Sequence, residues 1–225
     1  WMMQERKSKK ILIYFFLLIA ISSINNISLN NFKFEKIKNI YVSGLSDDEN
    51  KVILEKIKNL NLKNILIVNK KKIIETINSN TLVENYNVKK KYPSSLEIKI
   101  VKTKLLAKIN VDKEIFIIGS NGKLSLEKNK NLDLPFIFGK PEVDEFLKFK
   151  KIIDESKLSY YQIDNFYFFP SKRWDLKLKN NILIKLPKDF TREALANANK
   201  FIENYKSNKF TIVDLRVNNQ IILNE

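Results

Sequence analysis

The sequence predicts an α+β protein in which one membrane helix precedes two folded units. Three observations support this fold class. A charge-free apolar run covers residues 11–29. Residues 34–102 show the order strand, helix, helix, strand, strand, which fits a small sheet with two helices on one face. Residues 103–225 carry many short strand-like runs and two amphipathic helices, which predicts a larger mixed sheet.

The apolar run at residues 11–29 is long enough to cross a bilayer as one helix, since about 18 uncharged residues suffice. A basic head precedes it, in which Arg6 and Lys7 are followed by Lys9 and Lys10. Basic residues close to one end of a membrane helix favour the cytoplasmic side. We therefore expect residues 1–10 inside the cell and the residues after position 29 outside the cytoplasm.

A cleaved signal peptide is the alternative, because it also combines a basic head with an apolar stretch. A cleavage site of the small-x-small type should then follow the stretch. Neither Ile21-Ser22-Ser23 nor Ser28-Leu29-Asn30 fits that pattern well. We therefore expect an uncleaved anchor, and in both cases the later residues work outside the cytoplasm.

The composition excludes several classes of active site. The chain has no cysteine, so disulfides and thiolate metal sites are absent. It has no histidine, which removes the commonest general base and the usual zinc ligands. The acidic pairs at residues 47–49 and 144–145 lie in predicted first helical turns, where carboxylates favour the positive end of the helix dipole. We expect no catalytic, cofactor or metal site, and no enzymatic activity.

The formal net charge of +16 leaves two interpretations open. A basic surface attracts anionic lipid, nucleic acid or an acidic wall polymer. However, the lysines are scattered over the chain, and the composition as a whole is rich in Lys, Ile and Asn. A solvated basic face therefore fits better than a dedicated anionic partner.

The first unit, residues 34–102, has clear helix and strand patterns. Ser46 precedes Glu49 by three positions, which is typical of a capping box. A helix over residues 47–60 and a second short helix after Asn69 follow from apolar residues at helical spacing. Strands are predicted over residues 34–42, 83–91 and 96–101. The residues predicted to face the core from the two helices are Ile53, Ile57 and Leu60, then Ile73, Ile74 and Ile77.

The second unit, residues 103–225, alternates between short strands and turns. Residues 174–179 alternate polar with apolar, and Asn180-Asn181 leads into residues 182–186, which predicts a hairpin. Helices are predicted over residues 141–156 and 191–205, the latter with Tyr205 facing inward. The other predicted strands cover residues 105–111, 115–118, 124–126, 163–168, 210–216 and 220–223.

Two aromatic clusters, at residues 160–161 and 166–169, have two interpretations. They could form a binding platform for a ligand. Core packing is the better interpretation, because aromatic side chains dominate the interiors of β-domains.

Six motifs follow one another along nearly the whole chain. They are Ile40-Tyr41-Val42-Ser43-Gly44, a V-x-x-x-Y-P-x-x-L-x-I stretch over residues 88–98, a strand with a Gly turn at residues 117–122, an LP-x-x-x-G step over residues 134–139, a hairpin with residues 173–178 followed by Leu186-Pro187, and Val213-Asp214-Leu215-Arg216. In this order they resemble the FtsQ/DivIB family of bacterial cell-division proteins. The chain departs from the family pattern at Val217, where an aromatic residue is usual, and at residues 102–107, which join the two units.

The resemblance implies a division into a cytoplasmic head (residues 1–10), a transmembrane helix (11–29), a POTRA domain (34–102) and a larger β-domain (103–225). It implies a scaffold of the division machinery that recruits and regulates septal wall synthesis. The implied partners are FtsB and FtsL, with the septal wall-synthesis complex as a third. Nucleic acid and small-molecule substrates are not expected. The implied location is the inner membrane at the septum, with the C-terminal domains in the periplasm.

The resemblance also implies a docking edge at the end of the chain, since modules of this kind bind by offering a free strand edge. The implied partner-binding residues are Arg216, Val217, Gln220, Ile221 and Ile222. The alternative is that Asp214 and Arg216 form a strand-end ion pair while Ile221 and Ile222 belong to the core. A second hypothesis for the whole chain is an exported, membrane-anchored POTRA-type adaptor that binds an anionic envelope polymer or a lipid surface.

Overall fold

A computed structural model describes residues 2–24, 36–127, 132–204, 210–217 and 220–224. Helix α1 spans Met2–Ile24, and its apolar part begins after Lys10. Within the residues covered by the structure, no helix is both long and apolar enough to cross a membrane. The predicted transmembrane helix is thus not found, because the described apolar part ends with α1 and is shorter than the about 18 residues required. Residues 25–29 of the predicted span lie outside the described residues.

The first module follows the predicted order of elements. It consists of β1 (Asn39–Ser43), α2 (Asp47–Lys58), α3 (Lys70–Asn78), β2 (Val83–Lys91) and β3 (Ser95–Lys102). The central strand β3 pairs with β1 in parallel and with β2 antiparallel. The predicted first strand began at residue 34, and its first two residues lie outside the described part. The prediction of a three-stranded sheet with two helices is confirmed.

Both helices of the first module begin at capping residues and bury one apolar stripe. The Ser46 backbone N–H donates to Glu49 Oε2 at 3.1 Å, and Asn69 Oδ1 accepts from the Lys71 N–H at 3.0 Å. These contacts satisfy amides that a helix start leaves unpaired. The stripe packs on alternate residues of β3, as the periodicity predicted. Its fully buried members are Ile53, Ile57, Ile73 and Ile77, facing Leu96 and Ile98.

The second module is built on a nine-stranded mixed sheet with two helices. Its elements are β4 (Leu105–Val111), β5 (Glu114–Gly119), β6 (Leu124–Leu126), β7 (Phe136–Phe138), α4 (Val143–Glu155), β8 (Ile163–Phe168), β9 (Trp174–Leu178), β10 (Leu183–Lys185), α5 (Thr191–Asn204), β11 (Ile212–Asp214) and β12 (Ile222–Asn224). The order across the sheet is β12-β11-β10-β9-β8-β7-β4-β5-β6. Both predicted helices and the predicted hairpin are present. Tyr205, predicted to face inward, lies outside the described residues.

Strand β7 is the element that the sequence pattern did not predict. It has only three residues, so alternation along it carries almost no signal. It lies between β4 and β8 and runs parallel to both. Its position therefore depends on neighbours that are distant in sequence.

An aromatic cluster forms the centre of the second module. Phe166 is fully buried, and its ring lies 5.5 Å from that of Phe146 and 6.3 Å from that of Trp174. The Tyr160 hydroxyl donates to the Leu106 carbonyl at 2.8 Å, which satisfies it against the core. The core interpretation is thus confirmed for Phe166 and Tyr160. It is wrong for Tyr161, which is 87% exposed.

Polar contacts bridge the two modules where β3 leads into β4. Glu84 Oε2 on β2 accepts hydrogen bonds from Thr103 Oγ1 and Ser120 Oγ, both at 2.8 Å. The Asn121 side-chain amide donates to two backbone carbonyls of the first module, at 2.9 and 2.8 Å. The Glu84 carboxylate of the first module accepts hydrogen bonds from residues beyond β3, and the Asn121 amide of the second module donates hydrogen bonds back to the first. Together these contacts hold the modules in one orientation.

Candidate protein-binding edge

The nine-stranded sheet ends in β12, whose outer side pairs with no strand among the described residues. On its inner side, β12 pairs antiparallel with β11, which in turn runs parallel to β10. An edge strand presents unpaired N–H and C=O groups at alternate residues. The edge therefore offers backbone hydrogen bonds to an added strand.

The residues predicted for docking are exposed at this edge. Ile222 lies on β12 and is 49% exposed, while Ile221 directly before it is 39% exposed. A turn precedes them, in which the Gln220 N–H donates to the Val217 carbonyl at 3.2 Å. The alternative that Ile221 and Ile222 belong to the core is therefore wrong. Exposed aliphatic residues on a free edge suit a partner's apolar side chains, but their role in docking stays a prediction.

Arg216 forms the strand-end ion pair that the alternative predicted. Its Nε donates to the two carboxylate oxygens of Asp214 at 2.9 and 3.0 Å, and its backbone N–H also donates to Asp214 at 3.1 Å. These hydrogen bonds hold the pKa of the Asp214 carboxyl below its ordinary value, and the carboxylate raises the pKa of Arg216 in turn. The pair fixes the direction of the guanidinium at the edge.

This ion pair predicts a pH dependence of stability. Because the folded-state pKa of Asp214 is depressed, its stabilising effect is present above the unfolded pKa and is lost as the pH falls through the folded pKa. We expect Arg216→Met to lower the free energy of unfolding at pH 7 by roughly 0.2–1 kcal/mol, as for partly exposed pairs. The difference from wild type should disappear on acidification. Urea unfolding from pH 7 to pH 3 measures it.

Lys157→Met serves as the control for the loss of one surface cation, because Lys157 is exposed and forms no ion pair among the described residues. A difference between Arg216→Met and wild type that stays constant with pH would contradict the assignment.

A cleft of about 610 Å³ lies beside the edge, between the start of α5 and the residues around β11 and β12. Arg173 and Arg216 contribute to its lining, together with Phe190, Leu215 and Ile221. Phe190 is exposed and has a φ of +61°, a conformation that bulky residues rarely adopt. The cleft therefore combines two guanidinium groups and apolar side chains with the charged residues Lys188, Asp189 and Glu193.

Arg173 is held at the cleft by two contacts that sequence reasoning missed. Its guanidinium carbon lies 4.3 Å from the centre of the Phe169 ring, and its Nε donates to Asp175 Oδ1 at 3.3 Å. Asp175 also accepts from the Leu186 backbone N–H, and burial raises the pKa of its carboxyl. The alternation along β9 placed Asp175 on the face opposite Trp174 and Leu176, but it gave no sign that Asp175 is also buried. Only the fold brings Arg173 near Arg216.

The described residues hold no group of three or more acidic side chains that could bind a metal ion. Within the described part of the chain, the edge combines unpaired backbone groups, exposed aliphatic side chains and two fixed arginines, which are features that suit strand addition. A small three-stranded module followed by a large sheet with a free edge defines a protein of the POTRA plus β-domain type.

Comparison with known families agrees with this class. Residues 35–102 match the POTRA domain of FtsQ type, and residues 102–216 match the C-terminal domain of the cell division protein FtsQ/DivIB. The chain belongs to the FtsQ/DivIB family of cell-division proteins, as its motifs indicated.

Individual relatives are distant. The cell division proteins FtsQ of Rickettsia bellii and Rickettsia conorii are each 26% identical over 204 residues, which cover 82% of this chain and 70% of the relative. The solved extracytoplasmic domain of DivIB from Geobacillus stearothermophilus is 13% identical and has a TM-score of 0.35. That match covers 48% of this chain and 97% of the solved one.

Proposed function

We propose that the protein is a single-pass inner-membrane scaffold of the bacterial division machinery, without enzymatic activity. Residues 1–10 lie in the cytoplasm, residues 11–29 cross the membrane, and the two domains, 34–102 and 103–225, lie in the periplasm at the septum. The scaffold recruits and regulates septal wall synthesis by docking FtsB, paired with FtsL, onto the free edge of β12. Family membership and the free edge beside an arginine-lined cleft support this proposal.

Strand addition gives the partner both affinity and register. Backbone groups of β12 pair with an extended segment of the partner, and alternate side chains fall on the two faces of the sheet. Ile222 offers an apolar contact on one of those faces. Exposed apolar residues on an open edge favour association with other chains. Their presence at this edge therefore supports a docking role.

Arginines at the cleft supply selectivity for a carboxylate. Asp214 engages the Nε and Nη2 groups of Arg216, which leaves the Nη1 donors for a partner. Arg173 lies in the same cleft. Guanidinium groups bind carboxylates in a planar, often bidentate geometry. An acidic residue of the partner next to its paired strand would therefore be selected.

The anchor at residues 11–29 supports the location. The run is free of charged residues and follows a head with four basic residues. A scaffold that gathers partners at one site in the membrane needs such a permanent attachment. An uncleaved span with the basic head inside is the arrangement that the charge asymmetry favours.

A second candidate function is binding of an anionic envelope polymer, which the net charge of +16 favours. The dependence of binding affinity on salt concentration distinguishes the two functions. Binding of a polyanion weakens steeply as ionic strength rises. Strand pairing with apolar contacts should largely persist.

The docking proposal is tested by Ile221→Glu in the full chain, with FtsB–FtsL as the binding partner. We expect the affinity to fall at least about tenfold, because a carboxylate replaces an apolar contact where the edge strand meets the cleft. Ile115→Glu is the matched control, since Ile115 is 38% exposed on β5 in the other half of the same sheet. Calorimetric titration in detergent measures both dissociation constants, and circular dichroism checks that both variants are folded. Equal affinities of Ile221→Glu and wild type would refute docking at this edge.

A further inference from the structure

We propose that the first module makes a second contact with the membrane, through an apolar loop at one end of its sheet. The loop comprises residues 64–68 and exposes Leu66 and Ile67, with Tyr92 nearby and lysines around it. The ligand is an anionic lipid bilayer surface. This inference rests on the proposed membrane attachment and specifies how the first module lies on that membrane.

The loop presents its apolar tip on a fixed backbone. Ile65 and Val68 are buried in the core of the module, whereas Leu66 and Ile67 between them are 46% and 70% exposed. Asn64 Oδ1 accepts hydrogen bonds from the Leu66 and Ile67 N–H groups at 3.2 and 3.0 Å. Two large aliphatic side chains are thus exposed at adjacent positions, while their backbone amides remain hydrogen-bonded.

Three backbone groups at the tip of the loop are hydrogen-bonded within the module, which favours insertion among lipid headgroups. Besides the two amides bonded to Asn64, the Leu66 carbonyl accepts from Lys90 Nζ at 3.2 Å. Unpaired backbone groups are costly in an apolar environment. The tip of the loop can therefore leave water without losing these hydrogen bonds.

The loop lies where the chain arrives from the proposed anchor. Lys36 pairs with Asn64 in an isolated bridge, and the Ile37 N–H donates to the Lys63 carbonyl at 3.1 Å. Lys36 is seven positions after residue 29, a distance that an extended chain spans in at most about 25 Å. The end of the module that carries the loop therefore stays close to the bilayer.

Tyr92 lies at the same end of the sheet. It follows β2, and in the same turn the Ser94 carbonyl accepts from the Lys38 N–H at 2.8 Å, next to the incoming chain. Tyr92 is 65% exposed. Tyrosine is enriched at membrane–water interfaces because its ring is apolar and its hydroxyl remains hydrated.

The charge around the loop matches an anionic surface. Residues 36–42, 60–74 and 89–95 contain no carboxylate side chain. Basic segments beside a membrane helix are attracted to anionic lipid. An apolar tip among basic segments suits a bilayer better than a soluble polyanion, which needs the cations alone. The exposed lysines of these segments are Lys36, Lys38, Lys63, Lys70, Lys71, Lys72, Lys89 and Lys91, of which Lys91 also pairs with Glu97 at 3.1 Å.

The opposite end of the same sheet leads into the second module. Strand β3 starts at Ser95 beside the loop and ends at Lys102, seven positions and about 23 Å farther on. The second module is therefore held away from the bilayer, and Tyr161 on it can serve as a distant reference position.

The absence of cysteine allows single labels at chosen positions of the full chain. We would label Ile67→Cys, Ile13→Cys and Tyr161→Cys with an environment-sensitive fluorophore, and place each in nanodiscs of phosphatidylglycerol and phosphatidylcholine that contain a spin-labelled quencher lipid. We expect strong quenching at positions 13 and 67, and little at position 161. In nanodiscs of pure phosphatidylcholine, quenching should weaken at position 67 and stay unchanged at position 13.

Charge variants test the lysines separately. Lys70→Glu with Lys71→Glu should reduce quenching at position 67 at least about twofold. Lys148→Glu with Lys151→Glu makes the same change of charge on exposed residues of α4 and should leave it unchanged.

The outcomes separate the two proposals. Quenching at position 13 without quenching at position 67 would overturn the second contact and leave the anchor intact. No quenching at either position would overturn both. Equal quenching at positions 67 and 161 would also overturn the inference, because the label would then report non-specific adsorption.

Discussion

Replacing Phe166 by alanine should lower the free energy of unfolding of the second module by about 3–5 kcal/mol. Phe166 is fully buried, and its ring packs edge-on against Phe146 and Phe149. Alanine leaves a cavity between the sheet and α4 and removes those ring contacts. Urea unfolding followed by the fluorescence of Trp174, which lies in the same cluster, measures the loss.

Tyr161→Ala is the control for removing an aromatic ring, because that ring is almost fully exposed. Its effect should stay within about 0.5 kcal/mol, as for surface substitutions in general. A loss below about 1 kcal/mol for Phe166→Ala would show that the aromatic cluster does not form the core.

Replacing Gly44 by alanine should destabilise the first module by about 2–5 kcal/mol. Gly44 has a φ of +113°, which residues with a side chain rarely adopt, and an added Cβ would lie 1.8 Å from the Ile100 carbonyl oxygen. The strained conformation costs roughly 1–2 kcal/mol and the overpacking another 1–3 kcal/mol. Hydrogen exchange of the β3 amides, read by mass spectrometry, should accelerate accordingly.

Gly122→Ala separates the cost of backbone strain from the cost of a steric clash. Gly122 also has a positive φ, of +73°, but the nearest atom to an added Cβ is Leu147 Cδ1 at an ordinary 3.5 Å. We expect a cost of only about 1 kcal/mol from the backbone conformation. If the two alanine variants lost equal stability, contact with Ile100 would not explain the requirement for glycine.

Most elements of both modules followed from local patterns in the sequence. The stripe formed by Ile53 and Ile57 predicted α2, and alternation along residues 174–178 predicted β9. These patterns are reliable because backbone geometry alone fixes the side-chain period at 3.6 residues in a helix and two in a strand.

Elements without a local pattern were missed or only partly described. β7 has three residues and exists because β4 and β8 pair with it on both sides. The sequence did not indicate that Tyr161 is exposed while its neighbour Tyr160 packs on the core. Both residues belong to one short turn, in which side chains have no regular alternation.

The residues predicted for docking show the same division between local and distant information. The VDLR motif located the closing strand, and an ion pair between Asp214 and Arg216 was foreseen as one alternative. The exposure of Ile221 depends on β12 lying last in the sheet, which no spacing of residues encodes. The meeting of Arg173 with Arg216 joins segments more than forty residues apart.

The sequence by itself determined the α+β class, the two-module order, the family and the absence of cysteine and histidine chemistry. The tertiary structure alone decided which strand edge is free, which aromatic rings are buried, and that Leu66 and Ile67 are exposed in the loop at residues 64–68. The physical reason is the range of the interactions. Periodicity and composition act within a few residues, whereas strand order and exposure arise from contacts between distant segments.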